Sequence, residues 1–167
     1  MKLLHPGEKL QHEEFQELLR RFLPTLPSSA LSSLEDIHEL RLYLSGDILI
    51  EEGVISAGII VLRSGVAAAT LCSSSGTSIK FREIVAPAIL GLSETMLGET
   101  NRTTIRCEHP IEAAFMPAPS FIAVMRRVPL ASLEFSKLIS DELSETYSKL
   151  ASLRTPVCGS RDRATST

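Results

Sequence analysis

The residues best suited to chemistry lie within 88–104, where a glycine and an arginine flank a short turn. An apolar segment ends at Gly91, about one helical turn follows, and the chain returns through 98–101 to Arg102. Backbone N–H groups at the start of a helix lack partners within the helix and attract anions. A guanidinium offers a planar fork of donors to the same groups. The spacing therefore predicts a small concave site for an anion, most naturally a phosphate. The predicted contacts are Gly91, Leu92, Ser93, Arg102 and Thr103.

Side chains that could support catalysis or bind a metal are scattered. The histidines are His5, His12, His38 and His109, and no two of them form a His-x-His pair. A cupin-like metalloenzyme needs two or three histidines and a carboxylate on one face of a β-roll. Cys107 and His109 are close in sequence, but they precede Pro110 in a predicted turn and have no orienting group. We expect no catalytic residue, no metal and no enzymatic activity, with the cupin-like enzyme as the alternative to test.

The stretch Leu-Gly-Leu-Ser at 90–93, followed by Arg-Thr-Thr at 102–104, resembles the phosphate-binding cassette of cyclic nucleotide-binding domains. It is especially similar to sensor domains of the Crp/Fnr superfamily, and the resemblance covers roughly 40–153. Members that bind cyclic nucleotides place a glutamate directly after the glycine to hold the ribose hydroxyl, whereas this chain has Leu92 there. Three alternatives therefore stay open: a cyclic nucleotide, another small anion, or no ligand, with Arg102 serving as a structural ion-pair partner of Glu94 or Glu99.

Composition indicates a globular chain with a packed core. Of the 167 residues, 44% are hydrophobic and 22% charged, and the net charge is −3. An acidic balance argues against general affinity for nucleic-acid backbones, and no apolar run is long enough to span a membrane. The isolated cysteines Cys72, Cys107 and Cys158 favour reduced thiols in a cytoplasmic protein over a disulfide scaffold.

The elements that would position the cassette are mainly short strands. An amphipathic helix is predicted over 11–23, and a second helix follows to about 37, capped by Ser28 or Ser29. From residue 38 to 116, alternating apolar residues and turn signals recur every eight to twelve residues and predict about eight strands. Such spacing favours a sandwich or barrel, and the family resemblance implies an antiparallel β-roll, a jelly-roll-like double-stranded β-helix. A short helix then follows over 119–127.

The longest helical pattern covers about 130–153 and carries two apolar stripes. One stripe is a coiled-coil-like seam, and the other is predicted to lie on the β-roll. The seam consists of Ile139, Leu143, Thr146, Leu150 and Leu153, and the second stripe of Leu130, Leu133, Phe135 and Leu138. We expect the seam to pair with a second copy, as the dimer helix of the superfamily does. Thr146 is placed by the resemblance where it could contact a purine edge, or it is simply the polar position of the seam.

These patterns predict a mainly β protein with flanking helices. The expected parts are an N-terminal helical segment (1–37), a cyclic nucleotide-binding-like β-roll (38–127), a dimerisation helix (128–154) and a disordered tail (155–167). Only 14 residues follow Leu153, too few for a recognition helix, so we expect a Crp/Fnr-like sensor module without its helix-turn-helix domain and without direct nucleic-acid binding. It would regulate transcription or signalling as a homodimer, with a separate effector protein as a further partner. The alternative is a ligand-free structural or protein-interaction module with a degenerate cassette.

Overall fold

The computed structural model describes residues 8–72 and 76–152. Its helices are α1 (His12–Arg20), α2 (Ser28–Ile37), α3 (Leu92–Leu97), α4 (Ala118–Arg127) and α5 (Pro129–Ser152). Its strands are β1 (Glu39–Tyr43), β2 (Ile48–Ile50), β3 (Gly58–Cys72), β4 (Ser78–Val85), β5 (Ala88–Leu90) and β6 (Thr104–Pro117). The predicted tail over 155–167 and the last seam residue, Leu153, lie outside the described residues.

Two long strands, β3 and β6, carry the whole antiparallel sheet. They pair with each other over most of their length, and the sheet order is β1-β6-β3-β4. Each long strand also pairs with two short ones: β6 with β1 and β2, and β3 with β4 and β5. This arrangement confirms the predicted mainly antiparallel architecture with flanking helices and a long C-terminal helix.

The prediction of about eight short strands was wrong, because two predicted turns are bends within continuous strands. One of the turn signals within 38–116 is Ser64–Gly65, which predicts the end of one strand and the start of another. It lies inside β3, where the pairing with β6 shifts register three times. Gly65 has φ +95° there, and a Cβ on it would lie 2.2 Å from the carbonyl oxygen of Pro110, so only glycine fits the bend. The predicted turn at Cys107–Pro110 likewise lies within β6.

Both faces of the central strands are buried, which produces two hydrophobic cores. In β3, Ile59 and Val61 pack with the helices, while Ile60 and Leu62 point into the interior of the roll. Because successive side chains of a strand point to opposite faces, one apolar run supplies both cores. The helices are therefore integral to the domain.

The N-terminal helices pack on this domain. Phe15 and Leu19 of α1 are fully buried in the helical core, and Leu31 and Leu34 of α2 join them. Helix α1 ends at Arg20, earlier than predicted, although Leu23 stays buried beyond it. The predicted serine cap of α2 was wrong: its N-cap residue is Pro27, and no side chain caps the helix.

Helix α5 contacts the domain through only part of its length. Ala131 and Phe135 are fully buried, and the Phe135 ring meets Phe121 of α4 edge-on with centroids 5.0 Å apart. The prediction that Leu130 and Leu133 lie on the roll was wrong, since they are 63% and 53% exposed. Every residue of α5 from 140 onward is exposed.

Candidate functional site

The cassette, residues 91–104, begins where β5 ends at Gly91. Both the backbone conformation and the packing require glycine at this position. Its φ of +74° lies in the left-handed region, and a Cβ there would lie 2.8 Å from the carbonyl oxygen of Gly58. A side chain would therefore be strained and would collide with the neighbouring strand. The Gly91 carbonyl accepts the first bond of α3, from the N–H of Thr95 over 3.0 Å. Strand β5 can thus turn directly into a helix beside β3.

Helix α3 packs on the domain through one apolar contact and one polar contact. Leu92 is 8% exposed and belongs to the helical core. Thr95 and Ser56 share a buried hydroxyl–hydroxyl hydrogen bond of 2.7 Å. The position where the superfamily carries its ribose-binding glutamate is therefore part of the core packing here. The sequence did not predict the Ser56–Thr95 pair, because the partners are 39 residues apart and Ser56 lies outside the stretch that predicted the site.

Asn101 fixes the return loop and hence the base of the arginine. Its N–H donates to the carbonyl of Val54, and its own carbonyl accepts from Gly53, both over 2.8 Å. Its side-chain amide donates to the carbonyl of Glu51 over 3.1 Å. Asn101 is 8% exposed, so these bonds are shielded from water. The sequence indicated Asn101 only as part of the turn over 98–101. Its position next to the predicted arginine was nevertheless a signal, because asparagine side chains often hydrogen-bond to the backbone of turns.

The Arg102 side chain extends into solvent and meets a carboxylate. Its Nη2 donates to Glu99 over 2.9 Å, and the side chain is 71% exposed. The hydrogen bond and charge of Glu99 raise the pKa of Arg102, and the charge of Glu94 adds to this. The guanidinium is therefore cationic and partly satisfied, and an anion that binds it must compete with Glu99.

The cassette forms one wall of a cavity of about 990 Å³ whose opposite wall is α5. The walls are largely apolar, with Phe22, Val85, Ile89, Met96 and Ile139 among them. Charged side chains also line the cavity, six carboxylates and two guanidinium groups. The second guanidinium, Arg82, pairs with Glu142 of α5 over 3.0 Å. The lining thus combines an apolar interior with a net negative charge.

Five of the six predicted site residues line this cavity. They are Gly91, Leu92, Ser93, Arg102 and Thr103. The sixth, Thr146, is exposed on α5 and does not line the cavity, and its hydroxyl donates to the carbonyl of Glu142 over 2.9 Å. The α5 residues that do line the cavity lie between 136 and 145, from one to ten residues before Thr146.

Other kinds of site find no support in the described part of the chain. No group of three or more His, Cys, Asp or Glu side chains there could hold a metal ion. Cys107 is buried inside β6, and burial raises the pKa of its thiol to about 11, so this thiol is a poor nucleophile. Within residues 8–72 and 76–152, no helix has both the length and the apolar character to cross a bilayer.

Comparison with known proteins identifies the family. Residues 40–128 match the cyclic nucleotide-binding domain family. No curated protein sequence matches the chain. The fold resembles that of the catabolite activator protein of Thermus thermophilus, with a TM-score of 0.67 at 17% identity over 79% of this chain and 62% of that one.

Two further structures are similar. One is a Ruegeria pomeroyi protein described as a candidate cyclic nucleotide-binding protein, with a TM-score of 0.68 at 18% identity over 87% of this chain and 66% of that one. The other is the sensor domain of the transcriptional regulator DNR of Pseudomonas aeruginosa, with a TM-score of 0.67 at 13% identity over 87% of this chain and 97% of that one. The chain thus spans about two thirds of the length of the first two proteins and nearly all of the isolated sensor domain. These matches confirm the predicted resemblance to Crp/Fnr-type sensor domains.

Proposed function

Because this chain belongs to the cyclic nucleotide-binding domain family, we propose that it is a regulatory sensor module of Crp/Fnr type. In this proposal it binds a small anionic ligand, a cyclic nucleotide or another anion, at the cassette and acts as a homodimer through α5. One observation carries the proposal: the Gly91 turn, Arg102 and α5 all line the same cavity. A ligand there would contact the cassette and the long helix together.

Such a ligand could control how α5 packs. An anionic group at Arg102 would displace Glu99, and the ligand body would lie against Leu138 and Ile139 on α5. A ligand shifts an equilibrium only as far as it binds one state better than the other. Contact with both walls supplies that difference, because a change in the position of α5 alters the ligand's contacts with this helix.

The proposed homodimer is supported by the exposed half of α5. Leu143, Tyr147 and Leu150 are 53%, 64% and 56% exposed and lie on one side of the helix. The helix has 24 residues and is about 36 Å long at 1.5 Å per residue. The half from residue 140 onward is exposed throughout, and its ion pair with the roll is the one between Glu142 and Arg82. A stretch of about 13 residues with so little packing is marginally helical in water. Pairing with a second copy would bury the stripe and stabilise the helix.

Titration calorimetry with cyclic AMP and with cyclic GMP tests ligand binding. Binding of either nucleotide in the wild type, lost in Arg102→Ala and kept in Arg106→Ala, would support the cassette assignment. Arg106 is a matched control because it is also exposed, follows closely in sequence and donates to the carbonyl of Gly46 outside the cavity. Equal loss of binding in both variants would contradict a specific role for Arg102.

Light scattering after size exclusion tests the dimer. We expect a dimer for the wild type, a monomer for Leu143→Glu and a dimer for Leu130→Glu, because Leu130 is at least as exposed as Leu143 but lies on another side of α5. A monomeric wild type at tens of micromolar would remove the dimer from the proposal.

A second candidate function is a ligand-free interaction module with a degenerate cassette. It is favoured by the Arg102–Glu99 ion pair, the burial of Leu92 and the excess of carboxylates around the cavity. Each of these features weakens the binding of a cyclic phosphate and its ribose. A dimer that gives no heat with either nucleotide would favour this candidate over the first. We further propose that the module is non-enzymatic and cytoplasmic, and that a separate effector protein reads its state.

A further inference from the structure

A short N-terminal segment crosses the junction between α2 and β1, and a histidine holds it there. The N–H of Leu10 donates to Nε2 of His38 over 3.0 Å, and the N–H of Leu40 donates to the carbonyl of Glu8 over 2.8 Å. Residues 8–10, here named the strap, therefore run beside 38–40. An imidazole nitrogen takes the place that a backbone carbonyl would hold in an ordinary strand pair.

The hydrogen bonds of His38 require one neutral tautomer. Its Nδ1 lies 2.7 Å from the carbonyl oxygen of Glu35, which can only accept, so Nδ1 carries the proton. Its Nε2 accepts from Leu10 and must present a lone pair. The ring is fully buried and stacks on Phe15 of α1, with centroids 4.0 Å apart and planes 11° from parallel. One uncharged side chain thus connects the strap, α1, α2 and β1.

We propose that His38 is an acid-sensitive latch whose protonation releases the strap and α1 from the β-roll. A proton on Nε2 would face the Leu10 N–H with no acceptor between them. A buried cation without a partner is strongly unfavourable, so the ring leaves its site when it is protonated. The strap then loses its bond to His38, and Phe15 loses the ring on which it stacks.

The charged groups around His38 do not compensate for this proton. From the strap, Lys9 donates to the carbonyls of Glu35 and Asp36 and adds a like charge. From α2, the Glu35 carboxylate is engaged by His12 of α1 over 2.6 Å. From β1, the carboxylate of Glu39 pairs with a guanidinium of the same strand over 3.2 Å.

The direction of the pH effect follows from the same contacts. Burial is the largest influence on His38 and lowers its pKa. The hydrogen bond to the Glu35 carbonyl raises the pKa, the charge of Lys9 lowers it, and the charge of the Glu35 carboxylate raises it. In the released state the histidine has its ordinary pKa of about 6.5. The released state therefore binds more protons below pH 6.5, and the latch is complete above that value and weakens as the pH falls. At pH 5 the opening equilibrium rises by up to about 30-fold relative to pH 7.5.

Release of α1 would reach the ligand cavity through Phe22. This side chain follows α1, packs against the helical core and lines the cavity. A coupling between acid and ligand binding rests on the proposed function, whereas the latch itself requires no ligand. The test below therefore measures the latch without a ligand, and its failure leaves the calorimetric test of the cassette unaffected.

Hydrogen exchange of the full chain, corrected for the intrinsic pH dependence of exchange, tests the latch. Between pH 7.5 and 5.0 we expect the opening of residues 8–22 to increase by at least tenfold, with β6 unchanged. His109→Gln should behave like the wild type, because His109 is exposed on β6 and takes no part in the contacts between His38 and the strap. His38→Gln, which keeps an acceptor and a donor but does not titrate, should show no acid-induced opening.

Three results would overturn the latch. They are equal protection of 8–22 at both pH values in the wild type, an acid response that persists in His38→Gln, and loss of protection in β6 together with 8–22. An imidazole nitrogen spectrum of the wild type provides a readout that does not depend on the folding of a variant. It should show the Nδ1–H tautomer at neutral pH with a pKa below 6.5, and a pKa at or above that value would refute the proposal.

Discussion

The cassette depends on a glycine that no other residue can replace, and Gly91→Ala tests this requirement. The substitution adds one methyl group to a backbone with φ +74° and places it 2.8 Å from the carbonyl oxygen of Gly58. That carbonyl has little room to move, because Gly58 is buried at the start of β3 and is closely surrounded by backbone atoms of Met116 and Ala118. Both the backbone conformation and the packing therefore resist the change.

The magnitude is the sum of three effects. The left-handed conformation costs alanine about 1–2 kcal/mol. Alanine also reduces the conformational freedom of the unfolded chain, which offsets about 0.4–1 kcal/mol of this cost. The collision with a backbone atom adds about 1–3 kcal/mol, as overpacking does elsewhere. We expect Gly91→Ala to lower the free energy of unfolding by about 1–5 kcal/mol. Each kcal/mol lowers Tm by about 2–4 °C in a chain of this size.

Gly98→Ala is the matched control at the other end of α3. Gly98 has φ +69°, but a Cβ there meets no atom within 4 Å. Its cost is therefore conformational only, about 0–1.6 kcal/mol after the unfolded-state gain. Urea unfolding of the two variants, followed by circular dichroism, isolates the contact with Gly58. Equal destabilisation by both substitutions would refute the close approach of β5 and β3 at the entrance to the cassette.

Three further predictions concern the core, a buried hydrogen bond and the two described thiols. Phe135→Ala should destabilise the domain by about 3–5 kcal/mol in chemical denaturation, because the ring is fully buried between α4 and α5, and a loss below 1 kcal/mol would contradict that packing. Ser56→Ala should lower the free energy of unfolding by about 1–3 kcal/mol by leaving the Thr95 hydroxyl unsatisfied, and adding Thr95→Val should recover part of the loss. Iodoacetamide at pH 8 should modify exposed Cys72 rapidly and spare Cys107, whose burial raises its pKa to about 11; mass spectrometry showing equal labelling in the native state would oppose this.

Sequence alone determined the parts of this protein that depend on local periodicity and turn chemistry. Alternating apolar residues identified the strands, and 24 residues of helical pattern identified α5. The cassette was found because a glycine, a helical turn and Arg102 are close in sequence. Local backbone preferences act over a few residues, so these features can be read without the rest of the chain.

Only the tertiary structure decided which partner each side chain meets. Gly65 looks like a turn in sequence, yet β3 bends there and pairs with β6 on both sides of the bend. Leu92 joins the helical core, Arg102 meets Glu99, and His38 accepts from Leu10 across 28 residues. These contacts form between residues that are far apart in the sequence. The spacing of apolar residues indicates which face of a helix or strand is buried, but it does not indicate which other element covers that face.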